Sequence, residues 1–512
     1  MTAQIIHTED HNGIPVMWSD IRSTYSGALI FGIGIQDEPV RLGGVTHLLE
    51  HLVMNQVGKV LINHNATTND VSLAFYAQGP ERLVADFLHR VAASICSLES
   101  LTDAAVHAEA AHIAAEMADA NERTGTGPLL EQYGAATLGL LDLGAPAHRS
   151  LTREDAISWG RTWLHAGNAV LTFSGPVPAD LDVVLPPAAD TPERPEISRL
   201  PYRRTGWVGG GRVPLAVSLD IGSEDRAVKF VTSLVIERAL FEDLRERRHL
   251  VYSVDGHVGL VSHETSALTH VMDPQPDDIL ATAEAALDVL RGLAADGPPQ
   301  ELLDRIVEEW RNLEEDSDTL YGFVVSAASR WVRDGVEPLG IDHEPMASVT
   351  VEHVRAVLET SLSTVLVSLG EFATDLTPEQ VTERLALPWA KSPEGHYESM
   401  GSGRKVFSAL MRSGVDTFDA KTFSGRRGHQ IIVDPERITM SVPDFGNVEA
   451  RWDRLVLAGR CTKCGMWDLT DDAGEGVLIQ PSQWRGGGKL ASKVSSYVTA
   501  EVRYPLDHAA WH

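Results

Sequence analysis

The alternation of apolar and polar residues in the first part of the chain predicts both strands and helices. Apolar runs at 28–35 and 169–173 are typical of buried strands. Between them, apolar residues recur every three or four positions at 86–98 and 102–121, which predicts two helices with one buried face each. Because strands and helices do not alternate one by one, the pattern favours an α+β unit.

The next part of the chain repeats this plan. Strand-like runs at 215–221 and 364–369 flank helical periodicity at 230–244 and 276–295. The same order of elements therefore occurs twice. We expect two α+β halves that arose by duplication.

Two segments rich in turn-forming residues predict linkers. Segment 185–195 is rich in Pro and charge, and segment 393–403 is rich in Gly and Ser. They divide the chain into domains at 1–190, 200–390 and 403–512. The last of these is predicted to be a small β-rich module, because turn residues separate its short strand-like runs at 430–433, 438–442, 454–457 and 476–480.

Composition narrows the class of protein. The 512 residues carry a net charge of −29, which argues against a nucleic-acid partner and either favours basic peptides or serves solubility. There is no apolar run long enough for a membrane span, and the first residues do not resemble a secretory signal. Three cysteines, Cys96, Cys461 and Cys464, are too few for a disulfide scaffold and fit a cytoplasmic protein. Cys461 and Cys464 form a CxxC without the second pair that a zinc ribbon needs.

The motif with the clearest chemistry is His47-Leu-Leu-Glu-His51. On a helix, His47 and His51 project from one face and can bind one metal ion. Glu50 precedes the second His, which is the inverted order of the common H-E-x-x-H signature, and it can serve as a general base on water. The flanking leucines and valines predict a buried apolar face, on which such a polar set is costly without a partner.

The predicted helix at 102–121 offers further ligands. Glu109 and Glu116 are two turns apart, so they face the same way, and His112 lies between them. One carboxylate can complete a three-residue zinc site while the other orients a ligand. The competing interpretation is a solvated acidic face.

Together these motifs resemble the pitrilysin/insulinase family of zinc peptidases, the inverzincins, and within it the processing-peptidase branch. The resemblance begins at Asp37-Glu38 and rests further on Gly43-Gly-Val-Thr-His-Leu-Leu-Glu-His-Leu52, on Asn65-Ala-Thr-Thr68, on the pair Glu109 and Glu116, and on Leu244-Arg-Glu-Arg-Arg-His-Leu-Val-Tyr-Ser-Val254. It covers roughly 15–390. In such peptidases two α+β halves form a clamp around the substrate.

The resemblance implies a role for each matching residue. The zinc ligands would be His47, His51 and Glu116, with Glu109 in a supporting position and Glu50 as the base. Asn65 and Ala66 would begin an edge strand that binds the peptide. Arg245 and Tyr252 would approach the substrate carbonyl from the second half. A clamp of this length would pair with a copy of itself or with a paralogue.

The chain also departs from the family pattern. The interval between His51 and Glu116 is shorter than usual, which leaves Glu109 and Glu122 as alternative ligands. His249 stands where the family usually has Gly. The 403–512 module looks weakly like a pleckstrin-homology-like β domain.

Two functions follow as expectations. The first is a zinc-dependent endopeptidase that hydrolyses short or unfolded peptides, such as the leader of a precursor. The alternative is a catalytically silent scaffold or partner-binding subunit of a peptidase-like complex. The complete set of ligands and base favours the enzyme.

Overall fold

A computed structural model describes most of the chain. The described residues are 6–21, 24–120, 128–203, 205–211, 213–313, 316–335, 344–370, 376–390, 415–422, 428–442 and 446–506. The predicted linker at 185–195 has no regular secondary structure. The predicted linker at 393–403 lies outside the described residues.

The first half is built on a six-stranded sheet in the order β1-β2-β6-β3-β5-β4. Only β2 and β6 run parallel, and the other neighbours are antiparallel. Strand β4 forms one edge. The strands are β1 His7–His11, β2 Ile14–Trp18, β3 Ser26–Phe31, β4 Asn63–Thr68, β5 Leu73–Gln78 and β6 Ala169–Phe173.

Helices cover one face of this sheet and bury a continuous apolar core. The long helices α1, α2, α3 and α6 contribute to that core, whereas α4 and α5 lie elsewhere. The bounds are α1 Val45–Val57, α2 Glu81–Cys96, α3 Asp103–Ala120, α4 Leu129–Tyr133, α5 Leu140–Leu143 and α6 Arg153–Trp163.

The second half repeats the sheet with five strands in the order β7-β11-β8-β10-β9. Strands β7 and β11 are parallel, as β2 and β6 are, and the remaining pairs are antiparallel. This correspondence confirms the predicted duplication of an α+β unit. The strands are β7 Gly206–Gly211, β8 Leu215–Gly222, β9 Val254–Leu260, β10 Thr265–Met272 and β11 Leu366–Gly370.

The helices of the second half follow the same plan. Helix α7 occupies the position that α1 has in the first half, and it continues into a π-helical turn at Phe241–Arg247. The predicted start at 230 was four residues late, because the Asp225 carboxylate caps the helix by accepting the backbone N–H of Ala227. The bounds are α7 Arg226–Leu240, α8 Ile279–Asp296, α9 Gln300–Leu313, α10 Ser317–Asp334, α11 Glu344–Ala347, α12 Val351–Ser361 and α13 Pro378–Leu385.

Each half covers the second face of the other half's sheet. Helix α10 of the second half packs against β2, β3 and β6, so that Ile30 and Val170 are buried against Val324. In return, α4 of the first half packs against the second sheet, where the Tyr133 hydroxyl donates to Asp220 on β8 at 3.0 Å. Neither sheet face could stay buried without this exchange.

A buried ion pair joins the two halves at the same boundary. Both guanidinium Nη atoms of Arg333 at the end of α10 donate to Asp37, at 2.7 and 3.2 Å. The side chains of Arg333 and Asp37 are only 5% and 2% exposed. Arg194, from the segment between the halves, adds a third contact at 3.2 Å. Such a pair is costly to break because it leaves a charge buried.

The described residues of the C-terminal module form two four-stranded sheets, ordered β12-β13-β14-β15 and β18-β17-β16-β19, and a helix. The likeness to pleckstrin-homology-like domains stays a prediction. The elements are β12 Asp416–Asp419, β13 Gln430–Val433, β14 Arg437–Val442, β15 Gly446–Arg451, β16 Leu455–Arg460, β17 Trp467–Asp471, β18 Gly476–Ile479, α14 Gly487–Tyr497 and β19 Arg503–Pro505.

The module docks on the loop after α4. The backbone N–H of Ala135 donates to the carbonyl of Asp472 at 2.9 Å, and Arg203 forms an ion pair with Glu475. Gly134 has a φ of 73°, and a Cβ there would overlap the Asp472 carbonyl, so only glycine fits. Within the described part of the chain, no helix has the length and apolarity of a membrane span.

Replacing Arg333 with alanine should lower the free energy of unfolding by about 3 kcal/mol, because Asp37 then keeps only Arg194 as an ionic partner. Urea denaturation measures the change. The matched control is Arg311→Ala, which removes an exposed pair with Glu308 and should cost less than about 0.5 kcal/mol. Equal effects of the two substitutions on the free energy of unfolding would contradict a role for Arg333 in joining the two halves.

Candidate metal centre

Helix α1 begins at an unusual cap that fixes its orientation. The N-cap residue, Gly44, has a φ of 86° and no side chain to accept the first N–H groups. The Glu38 carboxylate takes that role and accepts the backbone N–H groups of Gly44 and Thr46 at 2.7 and 2.8 Å. Burial raises the pKa of Glu38 to about 7, against the opposing effect of these hydrogen bonds. The indole of Trp159 donates to the Thr46 hydroxyl at 3.0 Å and holds the same turn.

Three predicted ligands converge where α1 faces α3. The Nε2 atoms of His47 and His51 are 3.2 Å apart. The Oε2 atom of Glu116 lies 3.9 Å from the first and 3.5 Å from the second. Tetrahedral zinc at about 2.0–2.1 Å from each donor requires donors roughly 3.3 Å apart, so the set fits zinc with small side-chain adjustments. We call His47, His51 and Glu116 the metal centre.

Glu109 orients one of these ligands from behind. Its Oε2 atom lies 3.3 Å from Nδ1 of His51, and its Oε1 atom accepts the Asn55 amide at 2.8 Å. A carboxylate only accepts hydrogen bonds, so Nδ1 of His51 carries the proton and Nε2 keeps its lone pair for a metal. Burial lowers the pKa of His47, with a further contribution from His51, and this favours the neutral imidazole that a metal requires.

Glu50 lies beside the metal centre in a largely buried position. Glu50 is 9% exposed, and this burial raises the pKa of its carboxyl group. The hydroxyl of Thr68 donates to Oε2 of Glu50 at 2.7 Å. One carboxylate oxygen is therefore held by Thr68, which leaves Oε1 to take a proton.

Asn65 and Ala66 lie on the edge strand β4, as the resemblance implied for a peptide-binding strand. They pair with Tyr76 and Phe75 of β5. The strand begins two residues earlier than expected, at Asn63, and it ends at Thr68, which contacts Glu50. The edge strand and Glu50 are thus joined by one hydrogen bond.

Arg245 and Tyr252 lie together on the second half. The guanidinium of Arg245 stacks 4.7 Å from the ring centre of Tyr252, which is 75% exposed. Among the described residues, no hydrogen bond or ion pair joins either side chain to the metal centre. His249 between them has a φ of 57°, a conformation that favours glycine. This explains why a glycine suits that position in the family pattern.

Sequence reasoning missed several residues around the centre. Thr68 was part of the Asn65–Thr68 motif, but nothing in the motif shows that it contacts Glu50. Asn55 follows His51 by one helical turn, so its position on the same face was visible. Glu38 belongs to the stretch that resembles the family, but the sequence did not show that it caps α1, since that role depends on the path of the chain before α1. The alternative ligand Glu122 lies outside the described residues.

Both candidate metal-binding groups among the described residues lie on α1 and α3 of the first half. Helix α7, which occupies the place of α1 in the second half, contains no histidine. The two halves share a fold, and within the described residues the candidate ligand groups lie in the first half.

Comparisons with known proteins agree with this architecture. Residues 215–309 match the family model described as the Peptidase M16 inactive domain. That region lies in the second half, where α7 replaces the ligand-bearing helix. No curated protein sequence matches the chain.

Solved structures show the same fold at low sequence identity. A chain of complex III2 from Candida albicans is 14% identical, with a TM-score of 0.60 over 74% of this chain and all of that one. A protease from Helicobacter pylori is 14% identical, with a TM-score of 0.57 over 71% of this chain and 99% of that one. Pitrilysin is 15% identical, with a TM-score of 0.52 over 75% of this chain and 49% of its own. The chain therefore shares the fold of pitrilysin and of these other structures, and its residues 215–309 resemble the Peptidase M16 inactive domain.

Proposed function

We propose that the protein is a zinc-dependent endopeptidase. The convergence of His47, His51 and Glu116 on one point, next to the buried Glu50, carries this proposal. A zinc ion there would act as a Lewis acid on the substrate carbonyl. It would also lower the pKa of water, so that water could lose a proton and attack the carbonyl. Glu50 accepts the proton of the attacking water at Oε1, because Thr68 holds Oε2.

The substrate is proposed to be an extended peptide. Strand β4 is a sheet edge, and its free side suits addition of a peptide as another strand. Such binding needs a segment without its own secondary structure, so short or unfolded peptides and the leaders of precursors fit best. The net charge of −29 favours basic segments through electrostatic steering. We propose the cytoplasm as the site of action, since the chain has few cysteines.

The alternative proposal is a catalytically silent subunit. The complex III2 chain with the same fold and the inactive domain matched at 215–309 support it. However, the matched domain is the half without ligands, and the ligands and base of the first half are all present. A purified protein without bound zinc, and unable to take it up, would favour the silent subunit.

We propose that two copies, or one copy and a paralogue, form the complete clamp. The match covers 49% of the pitrilysin chain, so that longer chain has room for a second unit of the matched size. Arg245 and Tyr252 are displayed together on the second half without contact to the metal centre of their own chain. In a dimer, they can reach the partner's centre and donate hydrogen bonds to the oxyanion of the substrate.

Replacing Glu50 with glutamine should lower the rate of peptide cleavage by about 10²–10⁴-fold while zinc remains bound, because the amide cannot accept the proton. Cleavage of a fluorogenic peptide and the zinc content of the purified variant measure the two effects. Glu383→Gln, an exposed change on the second half, serves as the control and should leave both unchanged. Undiminished cleavage by the Glu50 variant would refute the mechanism.

Substituting the two α3 carboxylates in turn should show which one binds zinc directly and which one supports a ligand. Glu109→Gln keeps an amide oxygen that can accept from His51 but removes the negative charge behind the ring, and it should weaken zinc binding about 10–100-fold. Glu116→Gln should weaken it further, because a direct ligand is lost. Competition with a zinc chelator measures both affinities. The order of the two effects decides the third ligand, and a larger loss for Glu109→Gln would assign that role to Glu109.

A mixing experiment tests the dimer. Glu50→Gln and Arg245→Ala should each be nearly inactive alone, since one lacks the base and the other the oxyanion donor. If Arg245 acts on the partner's site, a mixture that exchanges subunits regains about a quarter of the wild-type sites, because half of the dimers are mixed and each has one intact site. A mixture that stays inactive although subunits exchange would contradict action across the dimer.

A further inference from the structure

We propose that a cleft between the two halves and the C-terminal module binds a small organic cation that carries a guanidinium or primary ammonium group. The cleft has a volume of about 240 Å³. Its walls come from α4 of the first half, from β7 and Trp389 of the second half, and from the module hairpin that contains Asp471. None of its lining residues belongs to the metal centre, so the inference goes beyond the proposed peptidase and does not depend on it.

The positive charges that line the cleft are already neutralised. Three arginines line it, and each forms an ion pair with a carboxylate. The pairs are Arg203 with Glu475, Arg451 with Asp453 at 3.1 Å, and Arg454 with Asp472 at 2.6 Å. The arginines therefore give little reason to expect an anionic ligand.

Two carboxylates of the cleft have no such partner. Among the described residues, no hydrogen bond or ion pair joins the side chain of Glu131 to another residue. Asp471 is only 4% exposed, and its Oδ1 atom accepts the backbone N–H groups of Ala473 and Glu475, each at 3.0 Å. Within the same described part of the chain, nothing donates to its Oδ2 atom. The remaining carboxylates of the cleft, Glu449 and Glu475, pair with arginines.

The environment of these two carboxylates disfavours their negative charge. Burial, followed by the neighbouring carboxylate of Asp472, raises the pKa of Asp471 to about 7, although Arg454 acts in the opposite direction. Burial also raises the pKa of Glu131, against the effect of Arg203. A cation bound between the two carboxylates would stabilise their ionised forms. Both side chains therefore suit a positively charged ligand.

An aromatic wall favours an organic cation over a metal ion. Trp389 is 40% exposed and stacks on Trp207, with ring centres 5.8 Å apart and ring planes 13° from parallel. A guanidinium or ammonium group is attracted to the face of a tryptophan ring as well as to carboxylates. The candidate metal-binding groups found among the described residues include no residue of the cleft.

Isothermal titration of the full-length protein with n-butylguanidinium tests the site. The neutral isostere n-butylurea should bind at least about 10-fold more weakly, because it has a similar shape without the charge. Thermal denaturation gives a second readout. The cation should raise the Tm, since it binds the folded protein, in which three parts of the chain form the cleft.

Substitutions of the two carboxylates show whether the cation binds in the cleft. Glu131→Gln and Asp471→Asn should each weaken binding about 10–100-fold, because a charge-assisted hydrogen bond becomes a neutral one. Glu501→Gln is the matched control, since Glu501 is an exposed carboxylate of the module outside the cleft, and it should bind as the wild type does. Circular dichroism checks folding, and Glu131→Gln alone suffices if Asp471→Asn does not fold.

The guanidinium group can belong to a free compound or to an arginine of a peptide. A short capped peptide with one arginine between glycines distinguishes these sources. It is titrated into the Glu50→Gln variant, in which we expect it to stay uncleaved, and then into the same variant with Glu131→Gln added. Peptide binding that weakens with the added substitution assigns the cleft to basic peptides.

The remaining outcomes are also decisive. Binding of n-butylguanidinium that depends on Glu131, together with peptide binding that does not, assigns the cleft to a free organic cation. No binding of n-butylguanidinium, equal binding of n-butylurea, or unchanged affinity in both carboxylate variants overturns the site. None of these results alters the expectations for zinc binding or for Glu50, so the proposed peptidase stands or fails separately.

Discussion

The structure depends on the exchange of helices between its two halves. Each sheet is covered on one face by its own helices and on the other by a helix from the opposite half, α10 on the first sheet and α4 on the second. The buried ion pair of Arg333 and Asp37 connects the two halves at the same boundary. Since neither sheet can bury both faces alone, the halves fold as parts of one unit, and the position of α1 in the first half depends on the second.

Hydrogen bonds and burial fix the orientation of the side chains in the metal centre. The Glu38 carboxylate and Trp159 hold the start of α1. Glu109, on α3, keeps the proton of His51 on Nδ1. Burial favours the neutral form of His47. The same burial raises the pKa of Glu50, which makes it a stronger base than an exposed carboxylate. The two halves have equivalent folds, and among the residues that the structure describes, the candidate ligand groups lie in the first.

Local patterns predicted the parts of the fold that depend on local physics. Strands at 169–173 and 430–433 were predicted with the bounds that the structure gives, because buried β-branched runs are distinctive. The duplication was visible for the same reason. Strands β1 and β2 were missed; β1 buries little, whereas β2 is mostly buried and its short apolar run was not recognised as a strand. Helix α10 could be read as a helix, but its attachment to the other half's sheet has no local signal.

The sequence by itself determined which residues can bind a metal, because spacings of three, four and seven place side chains on one face of a helix. It therefore identified His47, Glu50, His51, Glu109 and Glu116 before any fold was known. Only the tertiary structure decided that α1 and α3 meet, that Thr68 holds Glu50, and that His112 lies between two carboxylates. Those contacts join residues distant in the chain, and they exist only once the shared core has fixed the helices.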